Sequence, residues 1–138
     1  MRFIGYRVPH QTVEETRQRI ERMLDHYEQH DYGLWAAIEK ATGLVLGSCG
    51  LKHIEDGPEI EVGYHFARPA WGRGYATESA DACLRYGLET LKLERILGLV
   101  DPANHASRRV LERIGMAYER MGRYYNADLM VFVANRSA

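Results

Sequence analysis

The sequence predicts a single α/β domain, and three observations support this. Its 138 residues and 46% hydrophobic content suit one domain with an ordinary core. A strand-like run at residues 59–68 leads into a glycine-rich turn at residues 71–78, which opens a helix-like segment. A continuous apolar run at residues 95–100 has the length of a strand covered on both faces. This order predicts a crossover unit with the glycine-rich turn at the carboxyl edge of the sheet.

The composition limits the binding partners and the cellular compartment that we expect for this protein. Eighteen basic and nineteen acidic residues give a net charge of −1, so no long-range field favours nucleic acid or an anionic membrane. Cys49 and Cys83 lie in predicted regular elements rather than in a spaced framework, which favours reduced thiols. No apolar stretch has the length of a signal peptide or a membrane span. The sequence therefore predicts a soluble, cytoplasmic protein without a nucleic-acid or membrane partner.

The first predicted element is an amphipathic helix. Residues 12–15, Thr-Val-Glu-Glu, match a capping box, and apolar residues then recur at three- and four-residue steps up to Tyr27. The helix is expected to end near His30. His26 and His30 share a face at the spacing of a metal pair, but no third ligand is apparent nearby, so no metal site is predicted.

A strand hairpin is predicted next. Strands at residues 34–39 and 44–54 flank a short connection that ends in glycine. Gly47 and Gly50 within the second strand indicate a bulge, a bend or a close backbone neighbour. A turn at residues 55–58 then leads into the strand at residues 59–68.

Alternation along residues 59–68 separates two faces of this strand. The apolar face carries Ile60, Val62, Tyr64 and Phe66, and the other face carries Glu59, Glu61, Gly63 and His65. Two interpretations of the second face stay open. It is either an ordinary solvated face or the floor of a catalytic site.

The glycine-rich turn is a candidate phosphate site. Gly72 and Gly74 lie where a chain leaving a sheet turns into a helix, whose first amides have no intrahelical acceptor and lie at the positive end of the helix dipole. A tight connection without a ligand is the alternative. The helix itself is predicted to run on to Leu91.

The last third predicts a short helix and two closing strands. Asn104 is a good N-cap for a helix that Gly115 is placed to stop, and capping alone would explain this asparagine. Strands are predicted at residues 116–121 and 128–133, around a loop at residues 122–127.

Three motifs in this order resemble the GNAT N-acetyltransferase superfamily, and its RimJ/RimL-type branch in particular. They are residues 61–64, Glu-Val-Gly-Tyr; residues 71–78, Trp-Gly-Arg-Gly-Tyr-Ala-Thr-Glu; and residues 104–116, Asn-His-Ala-Ser-Arg-Arg-Val-Leu-Glu-Arg-Ile-Gly-Met. The resemblance covers residues 12–133. It implies a mixed, mostly antiparallel twisted sheet with helices on both faces. It also implies a splayed central strand pair, with acetyl-CoA as cosubstrate in the opening.

The resemblance also implies which residues bind acetyl-CoA. The pyrophosphate is expected on the amides of the glycine-rich turn, and the pantetheine arm beside the end of the preceding strand and near Asn104. The implied cofactor-binding residues are His65, Phe66, Ala67, Gly72, Arg73, Gly74, Tyr75, Ala76, Thr77, Asn104, Ser107 and Arg108. Arg73 and Arg108 are equally compatible with solvated helix-surface charges.

Two positions depart from the family pattern. Trp71 stands where glutamine or arginine is common, and Leu111 stands where many members carry a tyrosine that protonates the leaving thiolate. Ser107, one helical turn earlier, is the nearest replacement; Tyr124 or Tyr125 could enter from the late loop, or water could serve.

The implied reaction is direct acetyl transfer to a primary amine of a protein N-terminus, an amino acid or a small amine. Glu61 is the expected base, acting directly or through a water, and Ser107 lies beside the thioester. The alternative is an acyl-CoA-binding sensor that has lost the chemistry. Members of the family usually begin with a strand and a helix before the segment that resembles residues 1–11, and the resemblance implies that these are missing. Either this start is late or a partner chain covers the exposed surface, and apolar Phe3 and Ile4 favour such a packed interface, as in a homodimer.

Overall fold

The computed structural model describes residues 32–66 and 74–137, together with six helical positions between residues 14 and 29. Its strands form one six-stranded sheet in the order β1-β2-β3-β4-β6-β5. The strands are β1 (Leu34–Ile38), β2 (Val45–His53), β3 (Ile60–Phe66), β4 (Arg95–Val100), β5 (Ala117–Tyr124) and β6 (Ala127–Asn135). The helices with described bounds are α1 (Tyr75–Arg85), which continues as a π-helical turn (Tyr86–Thr90), and α2 (His105–Arg113).

The sheet is mixed and mostly antiparallel, as predicted. Every neighbouring pair is antiparallel except β3 and β4. These two parallel strands pair at a single position, where Glu61 lies opposite Leu97, and no further ladder pair joins them in the described part of the chain. The strands therefore part towards their carboxyl ends, which confirms the predicted splayed pair.

Alternating residues of the strands build two apolar clusters, one on each face of the sheet. Both α1 and α2 contribute to the larger cluster, through side chains such as Leu84 and Leu111, which pack with Ile96. The smaller cluster on the opposite face comprises Ile54, Leu97, Leu99, Leu129 and Val131, with Tyr124 and Tyr125 packed against it. The carboxyl ends of β3 and β4 thus lie between a helix-covered face and a face closed by the β5–β6 turn.

The described residues of the predicted first helix lie on the face that the sequence pattern predicts to be polar. The six positions between residues 14 and 29 are helical and exposed. His26 and His30 lie outside the described residues, as do Phe3 and Ile4. No helix in the described ranges has the length and apolar character needed to cross a membrane.

The last two strands differ from the prediction. β5 and β6 extend to a two-residue turn, where the sequence predicted a longer loop at residues 122–127. Tyr125 (φ 53°) and Asn126 (φ 59°) both adopt the left-handed conformation that such a tight hairpin requires. Asparagine favours this conformation but tyrosine does not, so sequence propensity alone did not predict the turn.

The two cysteines are free and buried, and their Sγ atoms lie 3.5 Å apart between β2 and α1. A hydrogen bond from the Cys83 thiol lowers the pKa of Cys49 to about 7, although burial acts in the opposite direction. The same contact and burial raise the pKa of Cys83. The pair packs within the larger core cluster, consistent with the predicted structural thiols.

Candidate functional site

The start of α1 presents backbone amides at the carboxyl side of β3. Gly74 is the N-cap in a left-handed conformation (φ 78°, ψ 2°). The amide of Glu78 donates to the carbonyl of Gly74 (3.0 Å), so the preceding amides come before the first intrahelical bond. Of the predicted binding residues at this end, the structure describes Tyr75, Ala76 and Thr77 as well as Gly74. The others lie outside the described residues, as does Trp71; they are Ala67, Gly72 and Arg73.

A side-chain contact fixes this helix start. The Tyr75 hydroxyl donates to Glu39 Oε2 (2.5 Å), and Thr42 Oγ1 donates to Glu39 Oε1 (2.7 Å). Glu39 lies between β1 and β2, so the contact ties that turn to the first residue of α1. Sequence reasoning assigned Tyr75 only a backbone role, since nothing in the local pattern pairs it with a residue 36 positions away.

The start of α2 carries a buried asparagine whose side-chain NH₂ group is available to donate a hydrogen bond. Asn104 is 5% exposed, and its Oδ1 accepts the amide of Ser107 (3.1 Å), as the N-cap prediction requires. Within residues 32–66 and 74–137, the Asn104 Nδ2 group has no hydrogen-bond partner. A buried amide donor without a partner is costly, so this group is suited to a ligand acceptor.

Two hydroxyls join β3 to the first turn of α2. The Tyr64 and Ser107 hydroxyl oxygens lie 2.8 Å apart, and the Tyr64 hydroxyl also lies 2.9 Å from the Ser107 carbonyl oxygen. Sequence reasoning selected Ser107 but missed Tyr64, although the strand alternation had placed this tyrosine on the face that meets the helices. The contact brings two proton-bearing groups together beside the opening.

Glu61 lies at the last paired position of β3 and β4 and is 1% exposed. The Tyr125 hydroxyl donates to its Oε2 atom, and Lys52 Nζ lies 4.0 Å from the same oxygen. The Lys52 ammonium also lies 5.1 Å from the centre of the Tyr125 ring. The acidic face of β3 is therefore not simply solvated: Glu61 is a buried carboxylate held by a phenol and a cation.

Carboxylates also hold the β5–β6 turn that carries Tyr125. The Tyr125 amide donates to Glu55 Oε1 (2.8 Å), and the Tyr124 hydroxyl donates to Glu59 Oε1 (3.1 Å). Glu55 lies in a short helical turn after β2, with its own φ at 49°. The turn between β2 and β3 thus fixes the tyrosine that contacts Glu61.

A part-buried chain of two hydrogen bonds braces that turn in its place. His53 Nδ1 donates to the Gly57 carbonyl (2.8 Å), which leaves His53 Nε2 to accept the Tyr32 hydroxyl (2.8 Å). Burial raises the pKa of Tyr32, so this phenol stays a donor at neutral pH. The chain from Tyr32 to Gly57 positions the segment that contains Glu55.

Comparison with known proteins adds the decisive observation. The family model described as the acetyltransferase (GNAT) domain matches residues 1–117. The chain belongs to the GNAT acetyltransferase family. Members of this family use acetyl-CoA.

Relatives and solved structures agree with this assignment. The chain is 40% identical over 120 residues to the uncharacterized protein YkkB of Bacillus subtilis, covering 86% of this chain and 70% of YkkB. An acetyltransferase structure from Agrobacterium tumefaciens is 27% identical with a TM-score of 0.80, covering 91% of this chain and 74% of that one. RimL, a ribosomal L7/L12 alpha-N-protein acetyltransferase solved with coenzyme A, shares the fold at 15% identity, with a TM-score of 0.80 over 99% of this chain and 78% of RimL.

The remaining GNAT motif positions divide into surface and core. His65 is exposed and Phe66 is 2% exposed, and both lie beyond the last pair of β3 with β4. Arg108 Nε lies 3.9 Å from Glu112 Oε1 on the exposed face of α2, as a solvated helix pair would. Leu111 is 1% exposed and is packed so closely on Gly98 that a Cβ there would meet its Cδ2 at 2.8 Å. The Leu111 side chain therefore belongs to the core and supplies no proton.

Proposed function

We propose that this chain transfers an acetyl group from acetyl-CoA to a primary amine of a protein N-terminus, an amino acid or a small amine. The observation that carries the proposal is the buried carboxylate of Glu61 at the point where β3 and β4 part. The opening has two helix starts at its carboxyl side, which suits a long anionic cosubstrate. The amine attacks the thioester directly, without a covalent enzyme intermediate. Both cysteines pack in the core, and no other activated nucleophile is evident among the described residues.

The cosubstrate would be held mainly by the backbone and by Asn104. The amides of Tyr75, Ala76 and Thr77 would bind the pyrophosphate, together with Gly72 and Arg73 from the turn before them. The Asn104 Nδ2 group would donate to a pantetheine carbonyl. Backbone at His65, Phe66 and Ala67 would run beside the arm, with an amide near Phe66 polarising the thioester carbonyl.

Glu61 is the proposed base and Ser107 the proposed source of the returning proton. The amine nitrogen bonds to the thioester carbon and gives a proton towards Glu61, and the carbon–sulfur bond then breaks. The departing thiolate takes a proton from Ser107, which is hydrogen-bonded to Tyr64 and regains a proton from water in the same step, or the thiolate takes its proton directly from water. Leu111 has no part in this step.

The left-handed Gly74 gives the first prediction about cosubstrate binding. Gly74→Ala is expected to weaken CoA binding about 5- to 30-fold, because relieving a strain of about 1–2 kcal/mol would rotate the turn away from the phosphates. Calorimetric titration with CoA measures the change. The matched control is Gly115→Ala, which has the same kind of strain (φ 90°) at the far end of α2. Equal affinities for wild type and Gly74→Ala would contradict the prediction.

The two functions of Asn104 can be separated by substitution. Asn104→Asp keeps the oxygen that caps α2 but removes the Nδ2 donor, so the thermal midpoint should stay close to that of the wild type. CoA affinity should fall about tenfold for the loss of one buried hydrogen bond. Asn104→Ala is the comparison, since it should lose both the cap and the affinity. An Asn104→Asp variant with undiminished CoA affinity would show that the amide serves only the helix.

A thiol-release screen tests the proposed reaction. Acetyl-CoA is incubated with N-terminal peptides, amino acids and polyamines, and free CoA and acetylated product are measured together. Peptides from ribosomal protein N-termini belong in the panel because RimL is named for such a substrate. Release of CoA with matching N-acetylated product supports the proposal. Calorimetric binding of acetyl-CoA without release in any arm would favour an acyl-CoA-binding sensor instead.

A cytoplasmic location and a homodimer complete the proposal. The balanced charge and the free thiols of Cys49 and Cys83 support the location. The apolar residues Phe3 and Ile4 support the dimer. Size-exclusion chromatography with light scattering determines the oligomeric state.

A further inference from the structure

Glu61 is too deeply buried for easy contact with an incoming amine. Its exposed fraction is 1%, whereas a base must come within hydrogen-bond reach of the proton that it removes. The Tyr125 hydroxyl already donates to Glu61 Oε2, and the Tyr125 side chain is only half-buried. The hydroxyl in contact with the carboxylate therefore belongs to a residue that is less buried than Glu61 itself.

We propose that Tyr125 relays the proton of the attacking amine to Glu61. This inference rests on the proposed function, and it replaces direct contact or an intervening water with a phenol. As the carbon–nitrogen bond forms, the amine proton passes to the Tyr125 oxygen while the phenol proton passes to Glu61 Oε2. The phenol is regenerated in the same step, and Glu61 later loses its proton to solvent by the reverse path.

The backbone of Tyr125 is held as a positioned relay needs to be. A tyrosine at φ 53° is strained and persists only where its surroundings maintain it. The carboxylate of Glu55 accepts the Tyr125 amide at 2.8 Å, and Asn126 completes the turn at φ 59°. The result is a phenol fixed against β3 by both its backbone and its hydroxyl.

The charge around the phenol suits proton transfer. Lys52 Nζ lies 5.1 Å from the centre of the Tyr125 ring and 4.0 Å from Glu61 Oε2. A nearby cation stabilises the negative charge that develops on the phenol oxygen during transfer. Lys52 also offsets part of the negative charge of Glu61.

The test combines two single variants with their double. Single-turnover rates are measured with acetyl-CoA and the amine that releases CoA fastest in the screen. Tyr125→Phe should lower the rate about 100-fold with acetyl-CoA affinity unchanged, and Glu61→Gln should lower it at least as much. The double variant should be no slower than the slower single variant, because both changes interrupt one path. The control is Tyr118→Phe, an exposed tyrosine of β5 whose ring packs edge-on against Phe132 outside the site, and it should keep the wild-type rate.

A second measurement needs no variant. In mixtures of light and heavy water, a phenol relay moves two protons in one step, so the wild-type rate should depend quadratically on the deuterium fraction. A linear dependence would overturn the relay, as would a Tyr125→Phe variant at the wild-type rate beside an impaired Glu61→Gln. If Glu61→Gln also keeps the wild-type rate, the proposed base itself has failed. If no amine releases CoA, the proposed function and the relay fail together, whereas the other outcomes bear on the relay or the base alone.

Discussion

Glu61→Gln is expected to slow acetyl transfer about 10²- to 10⁴-fold, the range that loss of a positioned base produces. Glutamine keeps the shape and can still accept from Tyr125, but it cannot take up the amine proton. The loss should be greatest at low pH, where the acceptor is mostly ammonium and depends on a base to lose its proton. Rates measured across the pH range with saturating acetyl-CoA test this expectation.

The matched control for this variant is Glu59→Gln. Glu59 lies two residues earlier on the same face of the chain, is exposed, and contacts Tyr124 rather than Tyr125. Its substitution should change the rate by no more than about twofold, because glutamine still offers Tyr124 an acceptor and this exposed side chain does not touch the reacting atoms. A Glu61→Gln enzyme with an unchanged rate at every pH would remove Glu61 as the base.

Gly47→Ala is expected to have the largest effect on stability. A Cβ at Gly47 would lie 2.1 Å from the His65 carbonyl oxygen, which is backbone of the adjacent strand and cannot rotate away. β2 and β3 would have to separate at the end that borders the opening, at a cost of about 3 kcal/mol. Thermal unfolding and CoA titration of the same variant should show a lower midpoint together with weaker binding.

Gly43→Ala is the control for this second variant. It adds the same methyl group at a position with no heavy atom within 4 Å, so its cost comes only from the positive φ of 74°. Its CoA affinity should match the wild type. If Gly47→Ala unfolds at the wild-type midpoint, the close approach of β2 to β3 is not needed for the fold.

Sequence reasoning predicted the elements whose signals are local. Alternation in β3, the continuous apolar run of β4 and the capping pattern of Asn104 each reflect neighbours along the chain, and the structure confirms all three. The glycines of β2 were interpreted as marking a bulge, a bend or a close backbone neighbour. Gly47 and Gly50 prove to be close-approach positions, where a Cβ would meet a carbonyl oxygen of an adjacent segment. Such positions can be recognised from the sequence because the absence of a side chain is required there, and glycine alone provides it.

The side-chain partners of the candidate site could not be predicted in the same way. Tyr125 reaches Glu61 across 64 positions, and Tyr64 reaches Ser107 across 43. Neither pair has a spacing that distinguishes it from any other tyrosine and acceptor. The sequence suggested Tyr125 only as a candidate acid in a longer loop, because a tyrosine at positive φ contradicts the residue propensities from which turns are predicted. These contacts depend on the tertiary fold rather than on local pattern.

A crystal structure of the chain with CoA is the most direct test of where the cosubstrate binds. We expect the pyrophosphate against the amides of Tyr75, Ala76 and Thr77, and the pantetheine arm between β3 and β4 with a carbonyl at Asn104 Nδ2. The thiol should then lie between Ser107 and the side of the sheet that carries Glu61 and Tyr125. CoA bound elsewhere on the molecule, or an opening that stays empty at saturating CoA, would contradict the account.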